Sequence, residues 1–491
     1  MAARRFADGR VELESLADIE RSPLFNRDLA PVPIADRNWT TYNYAALWIG
    51  MAHCIPTYTY ASGLIAKGMS WGQALFTILL GNSIVLLPIL LNSHPGTKYG
   101  IPFPVFARAS YGTVGSNLPA LMRALVACGW FGIQAWIGGQ ALQVFFRTLF
   151  PGWPMLLGAT PIGGHLPTEW VSFFLFWALN IVIIFRGMNL LRRVENWAAP
   201  FVLVMTAFLV FWALVRAHGL GPILATPSRF SSFGEFWPVF ILSLTGMVGY
   251  WATLSLNMSD FTRFGRSQRE QAVGQVVALP TTMTVFAAMG VVITSASAII
   301  YGKVIWDPVE LVGRFHQSWI VAAAMFTVAV ATLSVNIAAN VVSPANDLAN
   351  AFPRWITFRR GGLLTGIIGV AMMPWRLLEN PARYIDGWLV GYSGGLGSIA
   401  GVLIVDYWIV RRRELGLRDL YLPDGVYKGW SWRAVVATLA GCTAAWMGLV
   451  VPLLRPLYSY AWFVGFGVAG GLYLAVSASA APIPQPATFG K

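Results

Sequence analysis

Long apolar runs separated by short polar connections cover most of this chain. A helix needs roughly 20 apolar residues to cross a bilayer. The pattern therefore predicts an all-α polytopic membrane protein with twelve transmembrane helices, at about residues 41–66, 71–93, 117–149, 168–186, 196–216, 236–258, 272–300, 318–345, 361–375, 388–410, 434–453 and 459–479. The connections are too short to hold a separate soluble domain.

Two of these runs are interrupted near their middle. The first contains GMAHCIPT at Gly50–Thr57, and the sixth contains TGMVGYW at Thr245–Trp251. Paired interruptions in corresponding spans are typical of transporters built from inverted repeats, whose substrate site lies at the breaks. The alternative is that Gly and Pro are simply frequent in membrane helices.

An inverted repeat of five spans predicts a division of the chain. Residues 41–216 would form the first repeat and 236–410 the second, with two extra spans in 434–479. Residues 1–40 and 480–491 would be tails on the cytoplasmic side.

Composition agrees with a membrane protein, since 56% of the residues are hydrophobic and only 11% are charged, against about 25% charged in soluble domains. With the N-terminus inside, cytoplasmic segments hold 24 Lys and Arg residues and the opposite side holds 9. That bias predicts two cytoplasmic termini. It also accounts for the net charge of +13 without a nucleic-acid partner.

Carboxylates are missing from the middle of every predicted span. Five of them fall near predicted ends: Glu169, Glu235, Asp260, Asp386 and Asp406. A buried cation would want such a partner, so we expect a neutral substrate. Of five histidines only His53 lies well inside a span. Without a cluster of nucleophile, base or metal ligands, we do not expect an enzyme.

Amide and indole groups are the remaining candidates for chemistry. Gln134 and Asn340 each offer donors and an acceptor, which match the N–H and C=O edge of uracil, a hydantoin or allantoin. Trp130 and Trp251 offer flat faces for stacking. The alternatives are that Gln134 bonds a neighbouring helix and that the tryptophans serve packing or the membrane interface.

The eighth span carries further polar groups, in ATLSVNIAAN from Ala331 to Asn340. Asn336 and Asn340 share a helix face. Ser334 could give a hydroxyl oxygen, and Ala331 a carbonyl, to a cation such as Na⁺.

Together these segments resemble the nucleobase–cation symporter-1 family, and the similarity extends from Asn43 to about Trp462. It rests on HCIPTY (53–58), GTKYGIPFPV (96–105), WFGIQ (130–134), DFTRF (260–264), SVNIAAN (334–340) with SPA (343–345), and DY (406–407) before RRR (411–413).

The resemblance implies a leucine-transporter-like fold and assigns roles in the substrate site. Trp130 and Trp251 would sandwich a planar ring, and Gln134 and Asn340 would hydrogen-bond its edge. Cys54 takes the position of a polar ligand in the first span, where relatives often carry Gln or Asn. A thiol is a weaker donor, so this position departs from the family pattern.

The resemblance also implies a cation site. Its positions fall on the carbonyls of Gly50 and His53, on Ala331 and Ser334, and on Val335. The last lacks the hydroxyl found in sodium-coupled hydantoin carriers, which leaves four protein oxygens. His53 could instead carry a coupling proton, or be a neutral histidine bonded at the helix break.

We therefore expect a secondary active importer of a neutral planar ring (allantoin, uracil or a hydantoin) in the plasma (inner) membrane. It would work by alternating access, without a cofactor, driven by Na⁺ or H⁺. The alternative is a carrier of the same fold for another solute, such as an amino acid or a quaternary amine. A membrane hydrolase or a passive channel fits the residues less well. The pattern predicts no oligomeric state.

Overall fold

A computed structural model describes residues 3–186, 204, 206–225 and 227–479. Strands Ala3–Arg5 and Val11–Leu13 form an antiparallel hairpin. The remaining elements are helices, with π-helical segments at Ala382–Leu389 and Val405–Val410 and α-helices at Ala17–Glu20, Thr41–Ala52, Ile55–Ala66, Trp71–Tyr99, Phe103–Tyr111, Asn117–Leu149, Pro167–Arg186, Thr206–Arg216, Leu220–Leu224, Phe233–Tyr250, Leu254–Asn257, Ser259–Thr262, Gln268–Tyr301, Pro308–Val312, Ser318–Asn340, Val342–Ala351, Phe358–Ala371, Pro374–Leu377, Val390–Ile404, Trp432–Trp446, Arg455–Ser459 and Ala461–Ser479.

Within the described residues, seven helices are long and apolar enough to cross a membrane, or up to nine if each of two bent pairs is one span. The first predicted span is divided into two helices of 12 residues. The fifth predicted span (196–216) and the C-terminal tail (480–491) lie partly or wholly outside the described residues. The count of twelve spans therefore stays a prediction.

The first broken helix consists of Thr41–Ala52 and Ile55–Ala66. Pro56, in the first turn of the second half, has no N–H and cannot continue a helix from the preceding turn. The N–H of Cys54 donates to the carbonyl of Ala52 at 3.0 Å. In an unbroken helix it would bond to the carbonyl of residue 50, so the break releases that oxygen from the helical pattern.

The second broken helix consists of Phe233–Tyr250 and the segment Leu254–Thr262, which meet at an angle of 42°. At the break, the carbonyl of Gly249 accepts from the N–H of Ala252 at 2.9 Å and from the hydroxyl of Tyr392 at 2.8 Å. These bonds satisfy a carbonyl that the helix itself leaves without its usual partner.

The long helix Asn117–Leu149 packs against the helices Ser318–Asn340 and Phe358–Ala371, and its Trp130 contacts Tyr250 at the second break. Its approach to Phe358–Ala371 is close. A Cβ on Gly132 would lie 2.3 Å from the carbonyl oxygen of Gly369. Small residues of this kind let membrane helices meet along their backbones, and here they bring the backbones of the two helices into direct contact.

The segment 3–40, predicted as a tail, packs onto one end of the helix bundle. Buried Arg37 donates to the carbonyls of Val32 and Val11, both at 2.9 Å. The amide of Asn26 donates to the carbonyl of Pro353 at 2.9 Å. A polar composition does not reveal such packing, because the bonds run through backbone carbonyls.

Two arginines lie inside the bundle instead of in surface loops. Arg123 pairs with Asp347 at 3.2 Å, and both side chains are at most 1% exposed. Arg108 is fully buried and donates to the side chain of Asn350 at 3.0 Å and to the carbonyl of Leu420 at 2.9 Å. Each buried charge thus has compensating partners, as a low-dielectric interior requires.

Candidate functional site

A small cavity of about 30 Å³ lies where the two broken helices face the long helix. All five residues predicted to contact a ring line it, and no described lining residue is charged. The lining residues are Met51, Cys54, Trp130, Gln134, Tyr250, Trp251, Thr253, Leu254, Val335, Ala339 and Asn340.

The two tryptophans are held by different contacts. The indole N–H of Trp130 donates to the hydroxyl of Tyr392 at 3.2 Å, and that hydroxyl donates on to Gly249. Trp251 packs edge-on against Trp48, with ring centroids 5.1 Å apart. Its own indole N–H is buried without a hydrogen-bond partner among the described residues. The pocket is thus lined by one indole from the long helix, Trp130, and one from the second break, Trp251.

Gln134 and Asn340 differ in what they already bond. Asn340 donates to Asn336 at 3.0 Å, which in turn donates to the side chain of Asn180 and the carbonyl of Phe131 at 3.2 and 3.3 Å. Gln134 is 3% exposed, and its Oε1 is buried without a partner in the described part of the chain. A buried amide oxygen left unbonded costs about 1–3 kcal/mol, so this oxygen is an acceptor that a bound molecule could use.

Three hydroxyl and thiol groups close the side of the pocket where the two broken helices meet. The hydroxyl of Tyr250 lies 3.3 Å from Cys54 Sγ and 3.0 Å from Thr57 Oγ1, and these two lie 3.4 Å apart. Neither Tyr250 nor Thr57 stands out in the sequence as a site residue. The only signal was position: Tyr250 precedes Trp251, and Thr57 follows Cys54 by about one helical turn.

His53 lies at the first break beside a second, mainly apolar cavity of about 90 Å³, which Ala331 also lines. Its Nε2 is 3.1 Å from Thr206 Oγ1, and its ring stacks on Phe286 with centroids 4.3 Å apart. The imidazole of His53 and the hydroxyl of Thr206 thus meet at the break. The described residues hold no cluster of three His, Cys, Asp or Glu side chains suited to a metal.

The other predicted cation-site residues occupy mixed surroundings. Ser334 is buried, and its hydroxyl makes no hydrogen bond to a described residue. Gly50 is exposed, with open space where a Cβ would stand. Val335 lines the ring pocket and offers no side-chain oxygen. A hydroxyl without a described partner and a carbonyl released by the helix break are oxygen donors of the kind that Na⁺ takes, and their assignment to one cation site stays a prediction.

Most of the chain matches a known protein family. The family model described as permease for cytosine/purines, uracil, thiamine and allantoin matches residues 31–465. The chain belongs to this family of permeases. It is 42% identical to the allantoin permease of Bacillus subtilis, over 92% of each chain. It is 40% identical to the purine-uracil permease NCS1 of Arabidopsis thaliana, over 92% of this chain and 77% of the relative.

A solved structure extends the likeness to three dimensions. The nucleobase-cation-symport-1 transporter MHP1, in a closed conformation with bromovinylhydantoin bound, matches with a TM-score of 0.76 and 26% identity. The match covers 92% of this chain and 95% of that one. The leucine-transporter-like fold and the family expected from sequence are thereby confirmed. The chain is a multi-pass membrane permease of the cation-symporter type, not an enzyme.

The bonding of the two amides leads to a stability prediction. Replacing Gln134 with Leu should leave the unfolding temperature of the ligand-free protein unchanged or higher, because no described residue loses a bond. Replacing Asn336 with Leu should lower the free energy of unfolding by about 1–3 kcal/mol, because it strands buried polar partners. Thermal unfolding of purified protein in detergent measures both. An equal loss of stability in the two variants would mean that Gln134 is a structural amide.

Proposed function

We propose that this permease imports a neutral, planar, amide-bearing ring such as allantoin, uracil or a hydantoin. The observation that carries this proposal is the unbonded Oε1 of Gln134 inside an uncharged aromatic pocket. A ring N–H donated to that oxygen would remove the cost of leaving it unpaired. Binding of substrate therefore completes the site.

The chemistry of the pocket supports a ring with alternating donors and acceptors. Gln134 supplies one acceptor and an NH₂ group, and Asn340 keeps a free acceptor after its bond to Asn336. The indoles of Trp130 and Trp251 supply apolar faces. Cys54 is the fifth proposed contact, through a thiol already engaged by Tyr250. Allantoin and uracil relatives, and a hydantoin-bound neighbour, support the same class of substrate.

The alternative substrates, an amino acid or a quaternary amine, find less support. A quaternary amine carries one positive charge and an amino acid carries two opposite charges, and each charge in a water-poor pocket needs a partner of opposite sign. The described lining supplies none. Selectivity for neutral rings would follow from this lack of charge.

We propose that transport occurs by alternating access and that the coupling cation binds at the first break. Na⁺ would be held by the carbonyls of Gly50, His53 and Ala331 and by the hydroxyl of Ser334. A proton would instead be carried by His53. The residue's contact with Thr206 and its stacking on Phe286 support a structural histidine, which leaves the oxygen set as the better-supported site.

We also propose the membrane arrangement predicted from sequence, with both termini in the cytoplasm and the protein in the plasma (inner) membrane. The bias of 24 Lys and Arg residues to 9 supports this orientation. The two broken helices support inverted repeats in 41–216 and 236–410, with the extra spans in 434–479.

Uptake by reconstituted protein tests the proposed substrate class. Labelled allantoin, uracil and hydantoin are offered to proteoliposomes under separately imposed Na⁺ and H⁺ gradients. We expect saturable, gradient-driven uptake of at least one ring. Gln134→Leu should weaken its affinity about 10- to 30-fold, because it removes two hydrogen bonds of about 1 kcal/mol each.

Gln143→Leu is the matched control for this experiment. Gln143 lies on the same helix and bonds Thr168, Trp153 and Ser172 outside the pocket. Its loss should leave ring affinity unchanged. Uptake of no ring under either gradient, or equal effects of the two substitutions, would contradict the proposal.

The histidine at the first break gives a separate prediction on pH. Replacing His53 with Gln should preserve the dependence of uptake on external pH, since the amide can still bond Thr206 and no coupling proton is lost. Initial rates between pH 5 and 8, the range in which histidine titrates, provide the measurement. A flattened profile in the variant, with uptake otherwise intact, would identify His53 as the proton carrier.

A further inference from the structure

Tyr250 occupies space beside both pocket tryptophans. Its ring centroid is 5.1 Å from that of Trp130 and 4.8 Å from that of Trp251, with interplanar angles of 63° and 70°. Any substituent that projects from a stacked ring toward this side must enter the volume of the phenol. Tyr250 is therefore a wall of the pocket as well as part of the broken helix.

The phenol cannot swing aside at low cost. Its hydroxyl is bonded to Thr57 and Cys54 of the first broken helix, and Tyr60 packs edge-on against its ring with centroids 6.2 Å apart. The preceding carbonyl, of Gly249, is held by Tyr392. A rotation of the side chain would break two hydrogen bonds in a buried site, so the wall is a fixed one.

We propose that Tyr250 determines specificity by limiting the size of the transported ring, so that monocyclic rings with no substituent or a compact one, such as the ureido group of allantoin, are accepted and rings with a bulky aromatic substituent are rejected. This inference rests on the proposed function, because it concerns the same pocket. The ring of Tyr250, not its hydroxyl, sets the limit. The hydroxyl only positions the ring, through its bonds to Thr57 and Cys54.

Removal of the ring should open enough space for an aromatic substituent. Apolar cavities can bind benzene, and the ring removed from Tyr250 is a six-membered aromatic ring like that of a benzyl group. A variant with Ala at position 250 should therefore accept a benzyl group in the vacated volume. In contrast, Tyr250→Phe keeps the ring packed against Tyr60, Trp130 and Trp251 and loses only the hydroxyl bonds to Thr57 and Cys54.

Hydantoin and 5-benzylhydantoin form a matched pair of probes, because they share the amide edge and differ in one substituent. Inhibition of ring uptake in proteoliposomes gives the affinity of each. We expect the wild type to prefer hydantoin, and Tyr250→Ala to shift the ratio of affinities toward 5-benzylhydantoin at least tenfold. Tyr250→Phe should leave that ratio within about twofold of the wild type, whatever its effect on affinity.

Several outcomes would overturn the inference. Wild type that binds 5-benzylhydantoin as tightly as hydantoin would exclude a fixed wall, and this measurement needs no variant. A Tyr250→Ala protein that binds hydantoin with an unchanged ratio would exclude the ring as the limit. If Tyr250→Ala does not fold, Tyr250→Val answers the same question. Wild type that binds no ring at all would instead contradict the proposed function, so the two failures are distinguishable.

Discussion

A broken backbone inside a membrane must have its polar groups satisfied, and the site depends on how this chain meets that requirement. Lipid offers no hydrogen bonds to a free N–H or C=O. At the second break, Gly249 is satisfied by Ala252 and Tyr392. Because the hydroxyl of Tyr392 also accepts from Trp130, the residue that stabilises the break also orients the indole of Trp130 in the pocket. The hydrogen bonds that satisfy the second break therefore also shape the pocket.

The polar groups around the pocket divide into those already bonded and those left for a ligand. The side-chain NH₂ of Asn336 donates to Asn180 and to the backbone carbonyl of Phe131. Its oxygen accepts from Asn340, which fixes the position of that side chain. The side chain of Gln134 makes no hydrogen bond to a described residue. The close approach of Gly132 to Gly369 positions the long helix that carries Gln134. A solute whose N–H donates to Gln134 Oε1 gains a hydrogen bond in a rigid pocket, whereas a solute without such a donor leaves that oxygen unbonded. This difference in binding free energy would make the pocket selective.

Sequence patterns predicted the two breaks, the uncharged pocket and four of its five proposed contacts, because helix-breaking residues, tryptophans and isolated amides stand out in apolar runs. The fifth, Cys54, came only from the resemblance to the family. The patterns did not single out Tyr250, since one tyrosine among 16, in a chain with 22 tryptophans, carries no distinguishing mark before the breaks are brought together. Burial of Arg108 was likewise hidden, because its partners include backbone carbonyls. The number of spans was not settled by hydropathy either, since a broken helix consists of two short halves.

The most direct test of the central claim, that a ring binds where the two broken helices meet, is protection of Cys54 from alkylation. Cys54 is half-buried in the pocket, whereas Cys128 and Cys442 are buried elsewhere and serve as internal controls. Mass spectrometry would follow modification by N-ethylmaleimide with and without saturating uracil, allantoin or hydantoin. The account predicts that a transported ring slows modification of Cys54 and leaves the two controls unchanged. Modification of Cys54 at the same rate, with a ring shown to be bound, would contradict it.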